Sequence, residues 1–356
     1  MTLLDRVRAL IAREGPLPIA RYMEICLHDP ELGYYAVHPR LGEAGDFITA
    51  PLVSQMFGEL LGLWAAEVWS RLGRPGRLRF VELGPGHGTM ISDALRAARR
   101  APGFIEACEV WLVETSAPLR QRQAAALEGA IDPVWTDQLE DVPADAPVIL
   151  LANEFLDCLP ICQAVRAETG WRERRVGLDA GGRLVFAAGE PVAPPAGGAG
   201  APLGTVAEWS DALISVGAAV GALIARAGGA ALFVDYGRDR PGPGDTLQAL
   251  RGHRKESPLA HPGRADLTAH VDFPAFLAAA SAAGAAVGPI RTQAAFLSDL
   301  GVRVRAAALA ASRPDRAETL ERQLERLIGP DQMGELFKVA VVRQPGLVAP
   351  GFETAA

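Results

Sequence analysis

The residues best suited to chemistry are glycines and acids at the ends of apolar runs. Leu78-Arg79-Phe80-Val81-Glu82-Leu83 breaks into Gly84-Pro85-Gly86-His87-Gly88. Glycine allows φ > 0 and lets a ligand approach the backbone, because no Cβ stands in the way. Thr89 to Arg99 then follows helical spacing, with Ile91 and Leu95 on one face. A helix starting at such a turn offers unpaired N–H groups and its positive dipole end. Glu114 closes the next apolar run, where a carboxylate can accept both hydroxyls of a ribose. Further on, Asp137 can accept the exocyclic amine of adenine while Leu139 packs on the ring. Asn153-Glu154-Phe155-Leu156-Asp157 ends a third apolar run with two more acids. The dinucleotide fingerprint G-x-G-x-x-G is not met, since Thr89 takes the third position. A tight turn without ligand and surface acids at strand ends are the plain alternatives.

These residues need a scaffold of alternating strands and helices. Strands are expected at 78–83, 109–114, 147–152, 230–235 and 337–342, with a third short one ending near Trp135. Helices are expected at 54–69, 88–100, 117–127, 207–227 and 315–328. Pro147 to Ala152 is continuously apolar, as a strand buried on both faces should be. The pattern gives an α/β fold with a mostly parallel sheet, whose ligands lie beyond the carboxyl ends of the strands. Residues 1–75 read as an N-terminal helical cap and 76–356 as the core. The core carries an insertion at 160–205, a β-hairpin followed by a Pro/Gly/Ala linker, and a long loop at 238–272 that includes Arg251-Gly252-His253-Arg254. Ahead of the core, Asp46, Phe47 and Thr49 could close over a cofactor or form a plain loop with a helix cap.

Composition sets bounds. The chain has 356 residues, 49% hydrophobic and 22% charged, enough for a sizeable core. A net charge of −7 argues against a broad nucleic-acid footprint, which needs a basic face. The four cysteines, Cys26, Cys108, Cys158 and Cys162, have no zinc spacing, so no metal is expected. A reducing, bacterial cytoplasm fits them. No secretion signal is visible, and the apolar run from Ala212 to Ala225 is short of the ~20 residues a bilayer requires.

The Glu82-x-Gly84-x-Gly86-x-Gly88 spacing is similar to the first motif of S-adenosylmethionine (SAM) methyltransferases. The likeness extends along the chain. Asp29-Pro30-Glu31-Leu32-Gly33-Tyr34-Tyr35, Gly45-Asp46-Phe47-Ile48-Thr49-Ala50-Pro51, Val81 to Thr89 and Ala152 to Pro160 appear in order. Asp235-Tyr236-Gly237, Arg251-Gly252-His253, Asp266 to Phe273 and Asp331 to Lys338 follow. Together they resemble the MidA-like SAM-dependent methyltransferase family, whose mitochondrial members are protein arginine methyltransferases needed to assemble respiratory complex I. The resemblance implies a class I, Rossmann-like methyltransferase fold. It implies SAM held at Gly84, Gly86, Gly88 and Glu114; Glu82, Asp137, Leu139, Asp46 and Thr49 are the further cofactor candidates read from their places in the chain. It also implies an arginine of a partner protein, of the complex I subunit type, as acceptor.

The chemistry bears on the remaining residues. Methyl transfer from a sulfonium is an in-line displacement, so positioning supplies much of the rate. Carboxylates can grip a guanidinium bidentately and localise density on one nitrogen. Glu154 and Asp157 are the catalytic candidates, facing one way if the segment turns helically. The alternative is that Glu154 caps a helix and Asp157 is solvated. Asn153, Tyr236 and His270 are placed at the acceptor side, Tyr236 and His270 with a structural role as the alternative. A small-molecule or other side-chain acceptor, or a SAM-binding assembly factor without turnover, remains open on sequence alone.

Overall fold

The computed structural model describes residues 1–37, 49–195, 198 and 200–353. Chain contacts divide into two units. The first comprises Met1–Phe47, Asp157–Ser215 and Arg240–Asp272; the second comprises Ile48–Leu156, Val216–Asp239 and Phe273–Ala356.

The second unit holds the main sheet. Its strands run in the order Ala286–Val287, Phe337–Arg343, Gly229–Arg238, Val148–Asn153, Leu78–Leu83, Cys108–Val113, Val134–Thr136. From Gly229–Arg238 to Val134–Thr136 every neighbouring pair is parallel, and Phe337–Arg343 returns antiparallel at the other side. Val148–Asn153 and Leu78–Leu83 are buried at every position, as central parallel strands between helical layers must be. This is the mixed, largely parallel Rossmann-like sheet expected from the sequence.

Helix packing here depends on missing side chains. Gln55–Arg71 lies so close to Thr89–Ala98 that a Cβ on Gly62 would sit 2.2 Å from the Ala94 carbonyl oxygen. The apolar run at 212–225 is the interior of helix Asp211–Ala227, where Val220 and Ile224 are fully buried. Among the described residues no helix is long and apolar enough to cross a membrane.

The first unit is built on helices Leu3–Glu14 and Ile19–His28 and an antiparallel sheet. The hairpin expected in the insertion is present as Gly170–Leu178 and Leu184–Val192. It is part of a larger sheet, because Cys162–Ala167, Val206–Trp209 and Leu17–Pro18 pair alongside. The helix expected from 207 therefore starts later. Val206–Trp209 is consumed by strand pairing, and Ser210 Oγ accepts the Leu213 amide at 3.0 Å to begin the helix. Residues 238–272, expected as a long loop, include the strands Gln248–Arg251, Arg254–Glu256 and Asp266–Thr268, which pair in a three-stranded sheet. Each is too short to show a clear alternation in sequence.

Candidate cofactor and active site

Strand Leu78–Leu83 delivers the glycine loop to the carboxyl edge of the sheet. Gly84, Gly86 and Gly88 all have positive φ, at 59°, 54° and 76°. The Gly84 amide donates to the Val113 carbonyl at 3.1 Å and the Gly88 amide to Pro85 at 2.8 Å, closing the turn. Gly88 is the N-cap of helix Thr89–Ala98. A Cβ at Gly84 would lie 3.0 Å from the Phe155 ring, and one at Gly88 3.2 Å from the Gln123 Cα. The loop is thus shaped by neighbours as well as by its own dihedrals.

Leu83 and Val113 are partners in the parallel pair, so Glu114 emerges beside the glycine loop. Its Oε1 accepts the Ser116 amide at 2.8 Å and its Oε2 accepts Gln123 Nε2 at 3.1 Å. Burial raises the Glu114 carboxyl above its ordinary value, partly opposed by these hydrogen bonds. Gln123 is fully buried and is the hub of this corner. Its Nε2 also donates to the Gly86 carbonyl at 2.9 Å, and its Oε1 accepts Trp135 Nε1 at 2.8 Å. Glu82 lies just beneath. It is 2% exposed, and its Oε2 has no hydrogen-bond partner among the described residues. Burial pushes its carboxyl up to about 8; the Ile91 amide lowers it and the neighbouring Glu114 raises it.

The third strand brings Thr136 beside this corner, with the Glu114 amide donating to its carbonyl at 3.0 Å. Asp137 follows, largely exposed, and accepts Arg120 Nη2 at 2.6 Å. Arg120 Nε donates to the Glu114 carbonyl at 2.7 Å, tying the two acid-bearing strand ends together. Leu139 is buried in the short turn Leu139–Asp141. Thr49 is the N-cap of helix Ala50–Val53, without a side-chain capping bond. Asp46 lies outside the described residues.

The strand Val148–Asn153 ends at Asn153 and Glu154. Glu154 has a left-handed φ of 49°, costly for a non-glycine residue and a feature that clusters at functional sites. The segment therefore does not turn helically, and the expected i, i+3 alignment of Glu154 with Asp157 is lost with it. Glu154 Oε1 accepts the Ala50 amide at 3.3 Å and Asn153 Nδ2 at 3.1 Å, so the acid meets the start of helix Ala50–Val53. That helix precedes it in sequence; the expected cap was on a helix following it. The Asn153 Oδ1 is buried without a hydrogen bond among the described residues. Asp235, to which no role was given, holds the turn: its Oδ2 accepts the Leu156 amide at 2.8 Å and its Oδ1 the Tyr236 amide at 2.9 Å. Tyr236 is buried, its ring edge-on to Phe337 at 5.4 Å.

Asp157 and His270 belong to the first unit. Asp157 is buried, and its carbonyl accepts the Ala269 amide at 2.9 Å. The His270 amide donates to Thr246 Oγ1 at 2.9 Å. Tyr35 shares these surroundings. Burial raises its phenol well above the usual range, with Asp266, Cys158 and Asp157 adding to the effect.

Gln123 could have been found in the sequence. It stands between Leu119 and Leu127 at four-residue spacing, a polar side chain on the apolar face of a helix. Asp235 was marked only by its place at the end of an apolar run and by the Asp235-Tyr236-Gly237 stretch of the family resemblance.

A glycine cradle at one strand end, a doubly held carboxylate at the next and an orphaned acid oxygen below them fit a nucleoside cofactor. The chain matches over residues 60–290 the family described as "Putative S-adenosyl-L-methionine-dependent methyltransferase", and it belongs to that family. It is a SAM-dependent methyltransferase. Among curated relatives it is 37% identical to "Protein arginine methyltransferase NDUFAF7, mitochondrial" of Danio rerio, covering 95% of this chain and 86% of the relative. The Homo sapiens protein of the same name is 36% identical, over 92% and 80%. A crystal structure from Burkholderia thailandensis bound to S-adenosyl-homocysteine superposes with a TM-score of 0.84 at 30% identity, over 99% of this chain and 93% of that one. The expected bacterial cytoplasmic location does not stand, because the curated relatives are mitochondrial proteins by name.

Proposed function

We propose that this methyltransferase modifies an arginine side chain of a partner protein, and that SAM lies along 84–88 with its ribose on Glu114. The reading of the acceptor is supported by the name of the curated relatives. A respiratory complex I subunit is the partner class offered by the family resemblance. The single observation carrying the cofactor reading is the Gly86–Gln123–Glu114 linkage, which fixes loop and acid relative to each other. Asp137 and Leu139 flank the adenine side, and Thr49, at the start of helix Ala50–Val53, is a further cofactor contact.

Bound, the cofactor supplies an electrophilic methyl group on a sulfonium. The protein's share is orientation and proton handling. A guanidinium is stabilised as a planar cation, and a carboxylate that binds it bidentately localises density on one nitrogen. Glu154, held at a left-handed backbone position, is the proposed carboxylate for this and the acceptor of the proton released after transfer. Asn153 and Tyr236 border the acceptor. Asp157 and His270, in the first unit, are separate candidates to be tested by their own substitutions.

Incubation with labelled SAM and candidate complex I subunits, followed by mass spectrometry, tests the acceptor. Methyl label recovered on arginine supports the reading; label only on small molecules or on other side chains would overturn it.

A further inference from the structure

The hairpin formed by Gln248–Arg251 and Arg254–Glu256 turns through Gly252 and His253, both at positive φ. This two-residue turn sets Arg251 directly opposite Arg254. Like charges in that relation destabilise a strand pair. They line a groove of about 650 Å³ together with Lys255, Arg264 and Glu256. Glu256 is engaged by His261 at 2.8 Å and by Arg251 at 3.4 Å. Arg254, Lys255 and Arg264 are exposed and make no ion pair among the described residues. A chain of net charge −7 thus gathers four cations around one concavity, and three of them have no ion-pair partner among the described residues.

We propose that this groove binds an acidic, extended segment of the protein substrate. The inference rests on the acceptor being a protein and adds the chemistry by which that protein is recognised. Glu256 already offsets Arg251 at 3.4 Å, and a seated acidic segment brings the opposite charge that Arg254, Lys255 and Arg264 lack among the described residues. Arg254–Glu256 is the outer strand of its sheet, so a segment laid along it meets backbone groups as well as cations. Among the described residues no aromatic side chain lines the groove, whereas nucleic-acid bases need stacking platforms.

The test is fluorescence anisotropy of the full chain with a labelled peptide of alternating Glu and Gly. Wild type is expected to bind it, more weakly as salt rises. The triple variant Arg254→Glu, Lys255→Glu, Arg264→Glu is expected to lose at least about tenfold in affinity, and the corresponding Gln variant an intermediate amount. A control with Arg303→Glu, Arg316→Glu and Arg326→Glu makes the same charge change at exposed sites elsewhere and should stay within about twofold. Equal binding by the two charge-reversed variants, or no binding by wild type, overturns the proposal. So does tighter binding of a single-stranded oligonucleotide of equal charge. No methyl transfer is read, so the result stands apart from the identity of the methylated residue.

Discussion

The side-chain amide of Gln123 donates to Glu114 Oε2 at 3.1 Å while also holding the Gly86 carbonyl at 2.9 Å. One buried residue therefore sets the spacing between the glycine turn and the acid on the neighbouring strand. Gln123→Ala leaves both partners and the Trp135 indole short of a hydrogen bond. Each orphaned buried group costs about 1–3 kcal/mol. We expect SAM affinity to fall roughly tenfold or more, since 1.4 kcal/mol is a factor of ten, and the melting temperature to drop. Isothermal titration with SAM and S-adenosylhomocysteine checks the first; unchanged affinity would remove Gln123 from the cofactor site.

Glu82 makes stability depend on pH. Its carboxyl rises from 4.5 to about 8 on folding, so between those values the folded chain holds a proton that the unfolded chain has released. Stability from this group is complete below the lower value and is lost as pH rises through the upper one. Glu114, raised in the same direction, adds to the same slope. Urea unfolding from about pH 5 to about pH 8.5 should show stability declining, and Glu82→Gln should flatten that decline. A wild-type curve that rises over this range would contradict the assignment.

Glu154→Gln should keep SAM affinity within about threefold and lower methyl transfer by about 10²–10⁴, the usual share of a proton-handling group. The amide preserves shape and can still accept from the Ala50 N–H. Transfer at the wild-type rate in a variant with normal cofactor binding would take Glu154 out of the chemistry.

The helix contact behind the glycine loop should tolerate no added methyl. Gly62→Ala places a Cβ 2.2 Å from the Ala94 carbonyl, forcing the two helices apart. Overpacking of this kind costs about 1–3 kcal/mol or more. Gly76→Ala meets nothing within 4 Å and should change stability by no more than about 0.5 kcal/mol. Chemical denaturation of the two variants side by side gives the comparison.

The chain by itself marked where the core strands lie along the sequence, the glycine turn after Leu83, and the acids at 114, 137 and 154 as candidates. These follow from signals between near neighbours: runs of buried residues, helical spacing, and a turn whose dihedrals call for glycine. The tertiary structure alone decided which distant groups meet at the candidate site. Gln123 meets Gly86, Asp235 holds the Leu156 amide, and Glu154 reaches Ala50. Helical spacing marks Gln123 as a polar residue on an apolar face, but which group each residue meets leaves no periodic trace, because the pairing is fixed by how the sheet and helices pack and not by spacing along the chain. The short strands of the first unit were hidden for the same reason. A segment of three or four residues carries too few side chains to declare its period, and its hydrogen bonds come from strands far away in sequence.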